Sequence, residues 1–237
     1  MSDYIELRAR TLDANQTLAR SGLVILTWGN ASQADRAAGV FAIKPSGVPY
    51  DRLSADDIVV CSIQTGEKIW GRLNPSSDTP THAKLYQAWP QINGACHAHP
   101  VYSTAWSQAS RALPALGTTH ADTFDGDVPV TRRLTVQEVE GDYEAATGTA
   151  IVEAFKGRDP MGTPAALVRQ HGPFAWGKDA AEAVEHMIIL EQSARIAHKQ
   201  YALTDALSES PRKLDEPLRR KHYERKHGAN ATYGQRL

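Results

Sequence analysis

The residues with the clearest chemical potential lie in Gly94-Ala-Cys-His97-Ala-His99-Pro100, a short apolar stretch that ends in a His-x-His pair and breaks at a proline. Read as a strand, it projects side chains two residues apart to the same face. His97 and His99 would then leave together, as two imidazole ligands of a metal would; two hydrogen-bonded histidines at a strand end is the competing reading. His171 follows the apolar run Ala165-Ala-Leu-Val168 and precedes Gly172, so it too stands at a strand end. Asp78, in Ser76-Ser-Asp-Thr-Pro80, stands where a carboxylate either caps a helix or binds a metal. Three neutral imidazoles and one carboxylate around a divalent zinc would leave net positive charge, suited to stabilising an anionic intermediate. Two other uses of His-x-His fit poorly. A cupin site wants a glutamate soon after the pair, whereas the next one is Glu138, and an amidohydrolase barrel places the pair near the start of a longer chain.

A second set of residues could hold an anion. Gly29-Asn30, Lys44-Pro-Ser46-Gly47 and Asn74-Pro-Ser76-Ser77 are three turns of small donors with one lysine among them. Backbone N–H groups, hydroxyls and one ammonium can cradle a phosphate, although each turn alone is also ordinary turn chemistry. Ser77 immediately precedes Asp78, so phosphate and metal sites would adjoin. Candidates for proton transfer are Asp122, Glu144 and Tyr233, the last close to the C-terminus. The basic run Arg219 to His227 after Pro217 reads as a helix with a solvated cationic face, or as an anion site.

These groups need a scaffold. Apolar spacing predicts helices over 4–20, 80–89, 100–108, 145–156 and 180–198, and the Thr135-x-x-Glu138 capping box predicts another start. Strands are expected at 40–44, 57–63, 68–70, 94–99, 165–169 and 173–176, with a short edge strand at Val128-Pro-Val130. Residues 23–28 read as a strand or an apolar entry to a loop, Trp28 to Ser32 as a turn, and 110–127 as a loop. Hairpins mixed with helices between non-adjacent strands imply an α/β domain, a central, mostly antiparallel sheet flanked by helices. No Gly-x-Gly-x-x-Gly motif suggests a Rossmann unit.

Length and composition narrow the function classes. A chain of 237 residues suits one large domain. Lys+Arg at 26 against Asp+Glu at 27 leaves no basic excess, which argues against a nucleic-acid partner. No apolar run has the length of a membrane span. Two cysteines, Cys61 and Cys96, give no disulfide framework, so a cytoplasmic location is expected. No signal peptide is legible at the N-terminus.

In order along the chain stand Thr27-Trp-Gly-Asn30, Lys44-Pro-Ser-Gly47, Pro75 to His82, His97-Ala-His99, Gly117-Thr-Thr-His-Ala-Asp122, His171 to Gly177 and Lys221 to Gly228. Together they make the chain resemble the class II sugar-phosphate aldolase/epimerase family over nearly its whole length. The last two stretches, with Tyr233-Gly-Gln235, favour its epimerases over its aldolases. The resemblance implies a class II aldolase-like fold for 1–237 and zinc, or another divalent metal such as Mn2+, held by Asp78, His97, His99 and His171. It implies a phosphate site from Gly29, Asn30, Lys44, Ser46, Gly47, Ser76 and Ser77, and an acid/base pair of Asp122 and Tyr233. Thr118, Glu144, His222 and Arg225 match positions around the active site. The implied reaction is epimerisation at C4 of L-ribulose 5-phosphate by reversible C3–C4 cleavage. The implied assembly is a homotetramer with sites between subunits, to which 204–237 contributes. Pro100 and Arg169-Gln170 depart from the family pattern, where Ser and His-Ser are usual. An aldolase of the same family, of the L-fuculose 1-phosphate type, an epimerase acting on another pentulose phosphate such as L-xylulose 5-phosphate, and a non-catalytic adducin-like module are the alternatives, and the module reading expects the ligands to be lost.

Overall fold

The computed structural model describes residues 4–229 and 231. Among them the chain forms one seven-stranded sheet and eight helices. The strands are β1 (Asn30–Asp35), β2 (Val40–Ile43), β3 (Val59–Ser62), β4 (Lys68–Trp70), β5 (Gly94–His97), β6 (Ala165–Leu167) and β7 (Pro173–Gly177). Their order is β4-β3-β2-β1-β5-β7-β6, and every pairing between them is antiparallel.

The period-two pattern divides the side chains between two layers of helices. Phe41, Ile43, Ala95, Phe174 and Trp176 face α2 (Thr79–Ala88) and α6 (Tyr143–Ala154), where Leu85, Tyr86, Ile151 and Phe155 complete a core. Ala31, Cys96, Ala165 and Ala175 face the opposite way, toward α1 (Ile5–Arg20) and α7 (Ala180–Ala206). Cys96 thus points away from its neighbour His97, as strand alternation requires. Small residues on this face let the long α7 lie close to the sheet. At Gly94 the approach is closest: a Cβ there would lie 1.9 Å from the carbonyl oxygen of Asp179, whose carboxylate caps α7.

Several expected elements shift. Residues 23–28 are not a strand: Ile25 and Leu26 are 55% and 78% exposed, and Leu26 adopts φ 55°. The strand instead begins at Asn30, in Asn-Ala-Ser-Gln-Ala-Asp, whose polar side chains find partners within the fold. Asn15 of α1 reads the main chain of Ala31 from both sides, at 2.8 Å each way. β5 ends at His97, so His99 lies in the extended link to α3 (Val101–Gln108), with Pro100 at the N-cap position. The expected loop 110–127 contains the short helix α4 (Thr118–Ala121), and Val128 and Val130 make only isolated bridges. The capping box at Thr135 opens α5 (Val136–Glu140) with both reciprocal bonds formed. α7 runs eight residues past its expected end, to Ala206, and α8 (Glu216–His227) follows Asp215.

Candidate active site

The end of β5 and the turn before β7 bring three imidazoles together. The Nε2 atoms of His99 and His171 lie 3.0 and 3.1 Å from Nε2 of His97. Unprotonated nitrogens facing one another at such distances repel unless a cation or a shared proton lies among them. Imidazole nitrogens arranged tetrahedrally at zinc's bond length stand roughly 3.3 Å apart, so the donor set and its spacing fit a divalent metal. The outer nitrogens support that orientation: His97 Nδ1 donates to the carbonyl of Pro173 at 2.8 Å, which leaves its Nε2 unprotonated. Phe174 stacks on His97 with ring centroids 4.1 Å apart and fixes the ring plane. Burial lowers the pKa of all three imidazoles, and mutual repulsion adds to this while Asp78 opposes it; His171 falls to about 4. All three are therefore neutral, in the ligating form, at neutral pH.

Asp78 occupies the N-cap position of α2 without capping it among the described residues. Asn30 holds its carboxylate instead, with Nδ2 donating to Oδ2 at 2.7 Å and to Ser76 Oγ at 3.0 Å. Burial works against the charge, but the neighbouring His97 and His82 and the Asn30 amide outweigh it and keep this carboxyl below its ordinary value. The capping alternative for Asp78 is thus not the one realised. Asp78 stands outside the tight trio of nitrogens, which His97, His99 and His171 form by themselves.

The three donor turns converge beside the histidines. Ser46 N donates to Asn74 O and Ser76 N to Lys44 O, each at 3.1 Å, so two of the turns are laced together by their backbones. Gly29 is fixed from behind: at φ 89°, a Cβ there would lie 2.8 Å from the carbonyl oxygen of His97, so only glycine lets this turn touch β5. Lys44 is buried, with Nζ donating to Pro45 O at 3.3 Å and lying 4.7 Å from the Tyr50 ring centroid. Burial lowers its pKa from 10.5 to about 8. One cleft of about 460 Å³ receives the whole set: Gly29, Asn30, Lys44, Ser46, Gly47, Ser76, Ser77, Asp78, His97, His99 and His171 all line it.

Asp122, Thr118, Glu144, His222 and Arg225 do not line that cleft in the single chain. Asp122 follows α4 and meets α8. Arg225 Nη2 donates to both of its oxygens at 2.9 and 2.8 Å, and His222 Nδ1 lies 2.9 Å from Oδ1. Burial raises the Asp122 pKa, yet Arg225 and His222 outweigh it and hold the carboxyl low. The basic run is therefore a helix with exposed outer positions whose inner edge grips two carboxylates, Asp122 and, through Arg219, Asp125. Glu144 contributes its backbone, its carbonyl accepting from Thr81 Oγ1 at 2.6 Å. Tyr233 lies outside the described residues.

Two tyrosines at the site are absent from the motif reading. Tyr50 donates from its hydroxyl to Gly29 O at 2.8 Å while its ring faces Lys44, joining two turns of the cradle. Tyr143 lies with its hydroxyl 3.0 Å from His171 Nδ1. Neither has a diagnostic spacing; Tyr143 is visible only as the neighbour of Glu144, and Tyr50 only as the aromatic after Lys44-Pro-Ser-Gly. The departures from the family pattern fall outside the ligands themselves. Pro100 sits at the N-cap of α3, and Gln170 takes φ 61° in the turn that presents His171.

Residues 9–198 match the family described as Class II Aldolase and Adducin N-terminal domain. The chain is 48% identical over 231 residues to "L-ribulose-5-phosphate 4-epimerase UlaF" of Salmonella paratyphi B, covering 98% of this chain and 99% of that one. Among solved structures, an L-fuculose 1-phosphate aldolase superposes with TM-score 0.73 and 28% identity, over 94% of this chain and 96% of the other. The L-fuculose-1-phosphate aldolase of Thermus thermophilus gives 0.65 and 26%, over 84% and 96%.

Proposed function

Because the chain belongs to the class II aldolase and adducin family, we propose that it is a divalent-metal-dependent 4-epimerase that interconverts L-ribulose 5-phosphate and D-xylulose 5-phosphate. The observation that carries the reading is the single cleft in which a trio of imidazoles adjoins a buried-lysine anion cradle. In this substrate C4 lies β to the C2 ketone, so its hydrogen is not acidic and simple deprotonation cannot invert it. Cleavage of C3–C4 can. The C4 hydroxyl loses its proton and C4 becomes an aldehyde, while the bonding electrons pass to C3 and the C2 oxygen as an enediolate. Rotation of the aldehyde and re-formation of C3–C4 on its other face give the epimer.

His97, His99 and His171, with Asp78, would hold the metal, zinc being the one that best suits this nitrogen-rich set. When bound, the metal supplies Lewis-acid charge against the developing enediolate. Lys44, the Ser46-Gly47 turn and the Gly29-Asn30 and Ser76-Ser77 turns anchor the phosphate, so the aldehyde fragment stays tethered while it rotates. Asn30 bridges the two halves by holding both Asp78 and Ser76. Asp122 and Tyr233 exchange the C4 hydroxyl proton, one on each face. Since Asp122 is gripped by α8 away from the cleft of its own chain, this pair would reach the cleft of an adjacent subunit. A homotetramer with the 204–237 segment at the shared site is what the family resemblance implies, and we propose it here together with a cytoplasmic location. Both cysteines are free and buried, as a reducing compartment allows, and no helix among the described residues is long and apolar enough to cross a membrane.

The likeness to L-fuculose 1-phosphate aldolases keeps aldol cleavage as the second reading; the adducin-like alternative expects the ligands to be lost, and all four residues are present. Incubating the protein with L-ribulose 5-phosphate separates them. D-xylulose 5-phosphate as the main product supports the epimerase, and accumulating free aldehyde overturns it in favour of the aldolase. Chelation should abolish turnover and added zinc restore it; full activity of metal-free His97→Ala refutes the metal centre, and normal turnover of Tyr233→Phe removes that tyrosine from the mechanism.

A further inference from the structure

We propose that Tyr143 is a positioning residue of the metal centre: its hydroxyl accepts the Nδ1–H of His171 and so presents the Nε2 lone pair of that ring to a divalent cation. The proposal rests on the reading of His97, His99 and His171 as metal ligands. A neutral imidazole carries its one proton on either nitrogen, and the partner of the outer nitrogen decides which. For His97 the partner is the carbonyl of Pro173, which can only accept. For His171 it is Tyr143 Oη at 3.0 Å. A hydroxyl can donate or accept, but only acceptance leaves Nε2 unprotonated. Nε2 of His171 lies 3.1 Å from Nε2 of His97, so a proton placed there would occupy the space of the cation.

The backbone that carries the hydroxyl is held firmly in place. Tyr143 is the first residue of α6, and the N-cap Asp142 accepts from Ala145 N at 3.1 Å. Thr81 Oγ1 donates to Glu144 O at 2.6 Å, stitching the first turn of α6 to the first turn of α2, which starts beside Asp78. Farther along α6 the two helices touch so closely that a Cβ on Gly148 would lie 2.6 Å from Lys84 Cβ. The tyrosine and the carboxylate thus ride on one rigid pair of helices. The ring of Tyr143 lies 6.2 Å from that of His171 and is tilted by 51°. It therefore meets the histidine through its hydroxyl rather than by stacking, and Phe can replace it without loss of packing.

The test is metal affinity, with Tyr143→Phe compared with the unaltered full-length protein. Each is stripped of metal and titrated with Zn2+ against a chromophoric chelator. Outer hydrogen-bond partners of metal-bound histidines change affinity roughly 10–100-fold. Tyr143→Phe should therefore bind one zinc per chain with affinity reduced in that range, and lose it correspondingly faster to excess chelator. In the Co2+-loaded protein, the exchangeable His171 Nδ1–H should give a hyperfine-shifted NMR signal that broadens into solvent exchange in the variant. The metal-free melting temperatures of the two proteins should agree. A variant with unaltered zinc affinity and an unaltered Nδ1–H signal overturns the proposal. If the unaltered protein itself binds no zinc or cobalt, the metal-ligand reading fails instead, which distinguishes the two.

Discussion

Lys44 is where binding and stability pull in opposite directions, and Lys44→Met exposes the conflict. The ammonium is 1% exposed, with one carbonyl at 3.3 Å and the Tyr50 ring for company. Lowering its pKa from 10.5 to about 8 corresponds to about 3 kcal/mol by which burial disfavours the charged form. The folded chain bears that cost in full below pH 8, where folded and unfolded states both hold the proton. The cost fades as pH rises from 8 to 10.5, because the folded state releases the proton first. Methionine is of similar length and carries no charge. At pH 7 the ligand-free variant should therefore melt higher, by roughly 6–12 °C as an upper bound for a chain of this size. Binding moves the other way. An ammonium about 4 Å from a phosphate charge gains roughly 4 kcal/mol at an effective dielectric of about 20. The variant should accordingly show KM raised about 10²- to 10³-fold with kcat far less affected, because the phosphate lies away from the bond that breaks. In the unaltered enzyme kcat/KM should decline about tenfold per pH unit above pH 8, and the variant should lack that limb. Calorimetry with and without inorganic phosphate, together with steady-state kinetics across this pH range, reads all three effects. A variant that melts lower than the parent and keeps its KM would refute the buried-ammonium account of the cradle.

Tyr50→Phe keeps the ring beneath Lys44 and loses the bond to Gly29 O, so KM should rise only about fivefold, the worth of one hydrogen bond of about 1 kcal/mol. Tyr50→Leu removes the ring as well and should cost about 2 kcal/mol more; equal KM values for the two variants would count against the cation–π contact. Gly94→Ala should destabilise the chain by more than about 3 kcal/mol, since the new Cβ would meet the Asp179 backbone and neither β5 nor the start of α7 can yield cheaply. A denaturant midpoint close to that of the parent would show that the β5–α7 contact gives way easily.

Much of the local structure is legible in the residue order. The capping box at Thr135, the Thr79-Pro80 start of α2, the β3–β4 hairpin and the apolar stripe of α7 are short-range signals that survive folding because they satisfy nearby backbone groups. The chemistry-bearing turns are likewise legible as types: histidines beside a proline, serines beside a lysine. β1 is not. Asn30-Ala-Ser-Gln-Ala-Asp has no apolar alternation, and it is a central strand because Asn15, His82, Tyr86 and Ala180 arrive from distant helices to bond its polar side chains and main chain. Leu23 to Trp28 is the converse case: its apolar character admits a strand or an entry to a loop, and the structure takes the loop, with Ile25, Leu26 and Trp28 largely exposed in the single chain.

Residue types and spacing therefore determined which groups were available: two imidazoles from one strand end, a third from a turn, a carboxylate at a helix mouth and three small-donor turns. Only the tertiary structure decided that they meet. Strand order places β1 between β2 and β5, and β7 on the far side of β5. That order brings residues 29–30, 44–47, 76–78, 97–99 and 171 to one cleft. It also selected Tyr50 and Tyr143, which no spacing singles out, because a hydrogen bond depends on where two atoms stand in space and not on how far apart they lie along the chain.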